Sequence, residues 1–462
     1  MTEIIESKKG NETIYEYITN DDNGNIVFRK KVNYQTIQIE YENEKYFLLY
    51  NSNKEVERDV FKFINVERKD SSFHSKELAS TALKILFVFC ELFSKDYRDV
   101  NLDDAKLLKK FIYGDSIKYG FIVTKLNTTR SSDTVNMYIG VYRAFYNYLN
   151  IYNSPFDLKA VKSLKSNRYG EISSDKLKLK DESEISNSRQ RRIPMYIKLN
   201  EMERILGVIR EEYSIREEII VRLMFECGMR IGEVLGLTLE DINTSPQEIY
   251  MNGESCGEIV LRNRLSDEPY QYAKGCIIPK YKRSYKNKEY NTMNIGYEVV
   301  NPSMDLLMLI EEYIESVYYS FTDKLKENYI EYSKADMVTN GENLEGGNSY
   351  LFINKNGKPL HKSGWNKIIR EIFLKSGLKL DTKKRKYNLN HRFRHGYAMF
   401  LKKFKNFSRE DLMYALRHSN PETVSIYFRP DDEDIFNANT EAVISMYNIC
   451  PTLRGERDER KN

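Results

Sequence analysis

Cysteine and histidine are scarce in this 462-residue chain, with five of each. Cys90, Cys227, Cys256, Cys276 and Cys450 are odd in number and show no C-x-x-C spacing. That excludes a disulfide frame or a zinc site as the organising device and fits reduced thiols in a cytosol. No apolar run of about 18 residues and no charged-then-apolar leader occurs, so neither a membrane span nor secretion is expected. A strong charge imbalance is also missing. Lysine and arginine number 72 against 68 acidic residues, a net charge of +4. Such a sum does not mark a nucleic-acid binder, and the distribution of charge matters more. Tryptophan occurs once, as Trp365, and reads as core. What is present is ample material for a soluble globular protein: 41% apolar and 30% charged residues. The length is too great for one ordinary domain and suggests two or three.

Along the chain the pattern changes four times. Residues 1–65 read as strands at Ile14–Ile18, Asn25–Phe28, Thr36–Tyr41 and Tyr46–Tyr50, with a hairpin turn at Asp21–Asn25. Residues 66–155 read as helices: Leu78, Ala82, Ile85, Leu86 and Phe89 form one apolar face, and a third helix runs from Thr134 to Leu149. Between them Lys125, Thr128, Thr129, Arg130 and Ser131 make a loop suited to phosphate contact, though ordinary surface loops share this composition. Residues 156–194 lose apolar periodicity and crowd basic residues, Arg191 and Arg192 among them, which suits a solvated linker that also crosses a duplex. Residues 195–450 resume mixed helices and short strands, and 451–462 are a polar tail. The strands read at Glu248–Met251, Glu258–Arg262, Cys276–Pro279, Asn294–Val300 and Leu351–Ile353, with a mobile loop at 333–349. The fold class is therefore α+β, mainly α with small sheets.

The informative stretch lies at Tyr387–Tyr427. It reads Asn-His391-Arg-Phe-Arg394-His395-Gly, then Leu-Arg-His418 twenty-four residues after Arg394, then Ile-Tyr427-Phe nine residues further. Upstream stands Cys-Gly-Met-Arg230-Ile-Gly-Glu233. Two guanidinium groups grip the non-bridging oxygens of a phosphodiester. Imidazoles move protons near neutral pH, and a phenol is a nucleophile able to hold a covalent phosphoryl group. The bland alternatives are a Glu233 partner for a half-buried Arg230 and structural histidines on a helix. His395 reads as a packing residue beside Arg394.

At these residues the chain resembles the tyrosine recombinases, the phage-integrase family, closely over 195–450 and in outline over 60–155. The resemblance implies an N-terminal arm-binding domain over 1–65, a helical core-binding domain over 66–155 and a catalytic domain over 195–450. A capping or partner-docking sheet is the alternative for the first of these. It implies catalytic Arg230, His391, Arg394, His418 and Tyr427, with a lysine from a β-turn. Lys274 is chosen as the first lysine after the Ile259–Leu261 strand, with Lys282 and Lys288 behind it. DNA contacts are expected from Lys125, Arg130, Arg191 and Arg192. The implied activity is site-specific DNA cutting and rejoining through a 3′-phosphotyrosine, without metal or nucleotide cofactor, by the integrase or transposase of a mobile element. The implied partners are double-stranded recombination sites, four protomers on two sites, and an accessory directionality factor. The implied location is the bacterial cytoplasm, on the nucleoid when DNA-bound. A type IB topoisomerase and a DNA-binding regulator without strand exchange are the rival readings. Two departures stand out: Arg417 occupies the usual glycine position before the histidine, and Phe393 replaces the usual leucine.

Overall fold

The computed structural model describes residues 2–157, 193–243, 256–265, 271–320, 350–380 and 389–454, apart from single positions within them, together with short strands in the 159–180 segment. The chain forms two compact units, 1–189 and 190–462.

In the first unit, β1 (Thr2–Lys9) pairs antiparallel with β2 (Glu12–Asn20), which pairs with β3 (Ile26–Val32). A second ladder joins β4 (Gln35–Tyr41) to β5 (Glu44–Tyr50). Helix α1 (Arg58–Lys62) runs directly into a π-helical turn at Phe63–Glu67. Then follow α2 (Phe73–Leu92), α3 (Leu102–Tyr113), β6 (Lys118–Tyr119), β7 (Ile122–Lys125) and α4 (Ser132–Tyr148). Helix starts are set locally: Ser72, Asn101 and Ser131 accept hydrogen bonds from first-turn amides. Strand β1 also pairs in parallel with β7, Thr2 opposite Ile122, giving the order β3-β2-β1-β7-β6. The strands and the helices share one core, from Ile4 through Phe63, Leu86 and Tyr142 to Phe156. The boundary expected at residue 65 falls inside it. Asn65 is buried, and its amide exchanges two hydrogen bonds of 2.9 Å with the backbone of Phe47 on β5. The segment read as a linker carries two short antiparallel ladders, β8 (Lys159–Lys162) with β11 (Leu177–Lys180) and β9 (Lys165–Ser166) with β10 (Ile172–Ser173).

In the second unit, α5 (Leu199–Glu212) and α6 (Ile215–Glu226) lead to the short α7 (Ile231–Leu235). A three-stranded sheet follows, β12 (Ile242–Asn243), β13 (Glu258–Arg262) and β14 (Tyr297–Val300), with β13 central. Helices α8 (Met304–Ser320), α9 (Lys362–Lys375), α10 (Leu389–Phe404), α11 (Arg409–Ala415) and α12 (Asp432–Ile449) complete it. Trp365, Ile220 and Phe393 lie in its main core, and the only tryptophan is fully buried as expected. Two expected strands do not form. Residues 276–279 leave a tight turn at Gly275 and run into Pro279, which has no amide to donate, so one bond (Ile277 N–H to Ile295 O, 3.0 Å) replaces a ladder. Leu351–Ile353 makes only isolated bridges at Tyr350 and Ile353. The strand expected at 248–251 and the loop expected at 333–349 lie outside the described residues. Among those described, no helix is long and apolar enough to cross a membrane.

Candidate active site

The site is assembled on α10. His391, Arg394 and His395 are three and four residues apart, so they share one helical face. The start of that helix is fixed from behind: the Trp365 indole donates to Asn390 Oδ1 at 2.7 Å, and the Asn390 amide donates to Asn366 Oδ1 at 2.9 Å.

Arg394 is 3% exposed, and its two Nη groups donate to the carbonyls of Gly228 and Leu416. Those carbonyls end α6 and α11, so one guanidinium ties together the turns that carry Arg230 and His418. Burial and the nearby Arg230 cation bring its pKa down to about 9. Gly228 is required there: its φ is +58°, and a Cβ would lie 2.4 Å from the Tyr397 ring.

Arg230 caps α7. Its amide donates to Glu233 Oε2 at 2.8 Å, and its Nη1 donates to Glu233 Oε1. The bland partner expected for Arg230 is thus present. Glu233 is almost fully buried. Burial pushes its carboxyl upward, but the guanidiniums of Arg417, Arg230 and Arg394 outweigh this and hold it below the usual range.

Arg417 takes over the glycine role with φ of +51°. Its Nη2 lies 3.0 Å from Glu233 Oε2 and its Nε 3.1 Å from Glu298 Oε2 on β14. Nη1 donates to Cys227 O at 3.3 Å. The backbone turn is therefore kept, and the side chain braces the Arg230 turn.

His418 is positioned by a 2.6 Å contact between Nδ1 and Thr423 Oγ1. The Thr423 hydroxyl itself donates to Asn420 O at 2.6 Å. Its single proton is spent there, so His418 Nδ1–H must be the donor, and the neutral ring presents a bare Nε2. Burial, then Arg394, Arg230, Arg417 and Lys274, bring its pKa down to about 4. His391 falls to about 4 as well, through burial and the cations Arg394, Lys362, Arg230 and Lys274.

Tyr427 sits in a 3-10 turn, Ser425–Phe428, and is 3% exposed in a small core with Met399, Leu412, Leu416 and Val424. Its phenol is 2.7 Å from His395 Nδ1. Burial pushes its pKa up to about 12, against the pull of Arg394 and Arg230. The phenol thus lies within the field of both guanidiniums expected to serve it, on its own subunit.

Lys274 occupies the turn Ala273–Cys276, closed by a 3.3 Å bond from Cys276 N–H to Ala273 O, with Gly275 at φ +113°. Its ammonium is exposed and acts on both His391 and His418. Lys282 lies in a separate 3-10 turn, Lys282–Lys286, with Lys288 after it. Sequence reasoning missed two residues. His395 touches the phenol and was read as packing. Lys362, at the first position of α9, contributes to the field on His391. The i, i+4 spacing from His391 was a signal for the first; nothing marked the second.

Two of the four expected DNA contacts, Lys125 and Arg130, lie among the described residues. Lys125 pairs with Glu3 at 2.9 Å, and Arg130 donates to Ile112 O at 3.3 Å, so both have internal partners. Arg191 and Arg192 lie outside the described residues. Among the described residues, no group of three metal-binding side chains occurs.

The sequence profile of the phage integrase family matches residues 195–434, just over half the chain and the unit that carries this site. The chain belongs to the phage integrase family. This integrase-family enzyme is a tyrosine-type site-specific recombinase, which breaks and rejoins DNA. It is 22% identical over 404 residues to Transposase A from transposon Tn554 of Staphylococcus aureus, covering 87% of this chain and 95% of that protein. It is 24% identical over 185 residues to the tyrosine recombinase XerC of Caldanaerobacter subterraneus, covering 40% of this chain and 45% of that protein. Among solved structures, the Tn1549 transposon integrase in complex with a circular intermediate DNA is 16% identical, covers 84% of this chain and 98% of its own, and has a TM-score of 0.48. XerH recombinase bound to difH substrate is 18% identical, covers 79% of each chain and also has a TM-score of 0.48.

Proposed function

We propose that this recombinase is the transposase of a mobile element and that Tyr427 is its nucleophile. The observation that carries the reading is the Tyr427 phenol, hydrogen-bonded to an imidazole at 2.7 Å and within the field of Arg230 and Arg394. The near full-length likeness to the Tn554 transposase supports the mobile-element assignment over a type IB topoisomerase or a regulator without chemistry.

Arg230 and Arg394 would hold the non-bridging oxygens of the scissile phosphate and offset charge as the pentacoordinate state develops. Tyr427 attacks phosphorus and becomes joined to the DNA 3′ end, while the 5′ oxygen leaves with a proton from Lys274. His391, which the family resemblance implies assists proton removal from the tyrosine, has its ring centre 6.1 Å from that of His395, and His418 hydrogen-bonds the phosphate. The phosphotyrosine conserves the bond energy, so religation to another strand needs no nucleotide. Four protomers on two DNA sites, an accessory directionality factor, nucleoid association and DNA contacts by Lys125, Arg130, Arg191 and Arg192 belong to the same reading. The exposed Ile435, Phe436, Val443, Ile444 and Met446 on α12 suit docking on a neighbouring protomer.

The test is a suicide duplex from the DNA flanking the gene, nicked near the cleavage point. Wild type should accumulate a covalent complex and Tyr427→Phe none, with DNA binding retained. Recombinant products from two-site plasmids should appear with wild type; relaxation without recombinants would favour the topoisomerase reading.

A further inference from the structure

We propose that His395 is the proton acceptor for Tyr427 in strand cleavage and returns that proton in religation. The inference rests on Tyr427 being the nucleophile.

His391 and His418 both lie in the field of His395, and the structure distinguishes the three imidazoles. His395 Nδ1 lies 2.7 Å from Tyr427 Oη, with ring centres 5.6 Å apart. His418 has committed Nδ1 to Thr423. The His391 ring centre stands 6.1 Å from that of His395, and Lys362 and Lys274 act on it. A base must be within hydrogen-bond reach of the proton it takes, about 2.6–3.2 Å. Among these rings, His395 meets that condition.

The protonation states agree. Burial, then His391, Arg394 and His418, hold His395 neutral, down to about 3. Tyr427 keeps its proton, its pKa raised to about 12. Two neutral groups therefore share one hydrogen bond, with the phenol donating, Nδ1 accepting and the ring proton on Nε2. Besides burial and its two neighbouring imidazoles, the Arg394 cation suppresses the basicity of His395. A phosphodiester seated between Arg230 and Arg394 brings in an anion and reverses part of that suppression, more so as the phosphorane gains charge. The base thus gains strength when its substrate is gripped. Because His395 directly follows Arg394 on α10, the grip and the base share one rigid element.

The step balances. The Tyr427 Oη–P bond forms while the Oη proton moves to Nδ1, giving an imidazolium. The P–O5′ bond breaks with its electron pair on O5′, which takes a proton from Lys274. Religation runs the same transfers backward.

The test uses the full chain and single-turnover cleavage of the nicked duplex, made once with a 5′ oxygen and once with a bridging 5′ sulfur leaving group. Sulfur leaves without an acid, so Lys274→Ala should regain cleavage on that substrate. His395→Ala and His395→Gln should lose about 100-fold or more on both substrates, within the range for a general base. Added imidazoles should restore His395→Ala, more so with rising imidazole pKa, an effect that a packing or orienting role would not produce. Full activity of His395→Gln would reduce His395 to a positioning residue and overturn the proposal. Recovery of His395→Ala on sulfur would assign it to the leaving group and overturn it too. Gel shift and thermal melting separate a folding defect, and the Gln variant keeps the shape if Ala fails to fold. A wild type with no covalent complex would sink the Tyr427 reading itself; a wild type and His395→Ala that cleave alike would sink only this proposal.

Discussion

Arg417 and Arg230 hold the same carboxylate from two sides: Arg417 Nη2 lies 3.0 Å from Glu233 Oε2, while Arg230 Nη1 donates to Oε1. The guanidinium at 417 stands at the position where the family resemblance leads to the expectation of a glycine. It gives Glu233 a second cation and ties Glu298 of β14 to the same network.

Arg417→Gly should therefore act in two directions. Glycine relieves a left-handed backbone, worth about 1–2 kcal/mol. It also strips a buried carboxylate of one partner, which costs about 3–5 kcal/mol. The loss is larger, so the expected outcome is a net destabilisation in urea melts together with slower covalent-complex formation. Arg417→Lys, lacking the fork, should recover stability in part and rate less. A more stable and equally active glycine variant would show that the bracing does nothing.

Gly228→Ala should be severe for a different reason. The added carbon meets the Tyr397 ring at 2.4 Å, at a φ of +58°. The Gly228 carbonyl accepts from Arg394, so the displaced turn also moves that guanidinium. Loss of cleavage with retained helical circular dichroism is the expected result.

Stability of the DNA-free protein should depend on pH through its buried imidazoles. His391, His395 and His418 have folded pKa values brought down to about 4, 3 and 4, against an ordinary 6.5. The unfolded chain then binds the protons first. Their contribution is complete above pH 6.5 and is lost as pH falls toward 3–4. The urea midpoint should drop between pH 7.5 and 5, and the drop should shrink in His395→Gln. A flat wild-type profile would contradict the neutral, buried assignment.

DNA binding should take up protons. His418 has its proton on Nδ1, so its Nε2 can donate to a phosphate only after gaining one. The phosphate anion favours that gain by offsetting Arg394, Arg230 and Arg417. Calorimetry near pH 6.5 in buffers of different ionisation enthalpy should show uptake, smaller in His418→Gln.

In the first unit, Glu6 is 2% exposed and accepts from the amides of Asn127 and Thr128, each at 2.8 Å. Glu6→Ala leaves both donors without their acceptor and should cost about 3 kcal/mol. Denaturant unfolding of the whole protein checks it.

What could be read from the sequence depended on how far apart the causes lie. Order and spacing along the chain pointed to Arg230, His391, Arg394, His418 and Tyr427, and the structure brings these five to one place. Amphipathic periodicity located α2, α4 and α5 because one face of each helix must be buried. His395 was missed because its partner is 32 residues away, across a turn. β1 was missed because Thr2–Lys9 is too polar to advertise a strand. Its order comes from neighbours on both sides, β2 and the remote β7.

That parallel pairing has a consequence for synthesis. Strand β1 has one neighbour, β2, within twenty residues but must wait for residue 122 to emerge before its other edge is covered. Until then the nascent chain carries an open ladder edge beside growing apolar helices, the arrangement that invites association between chains. Nascent chains halted at residue 110 should be far more prone to aggregate and to protease cleavage than chains halted some eighty codons later, when β7 has cleared the exit tunnel.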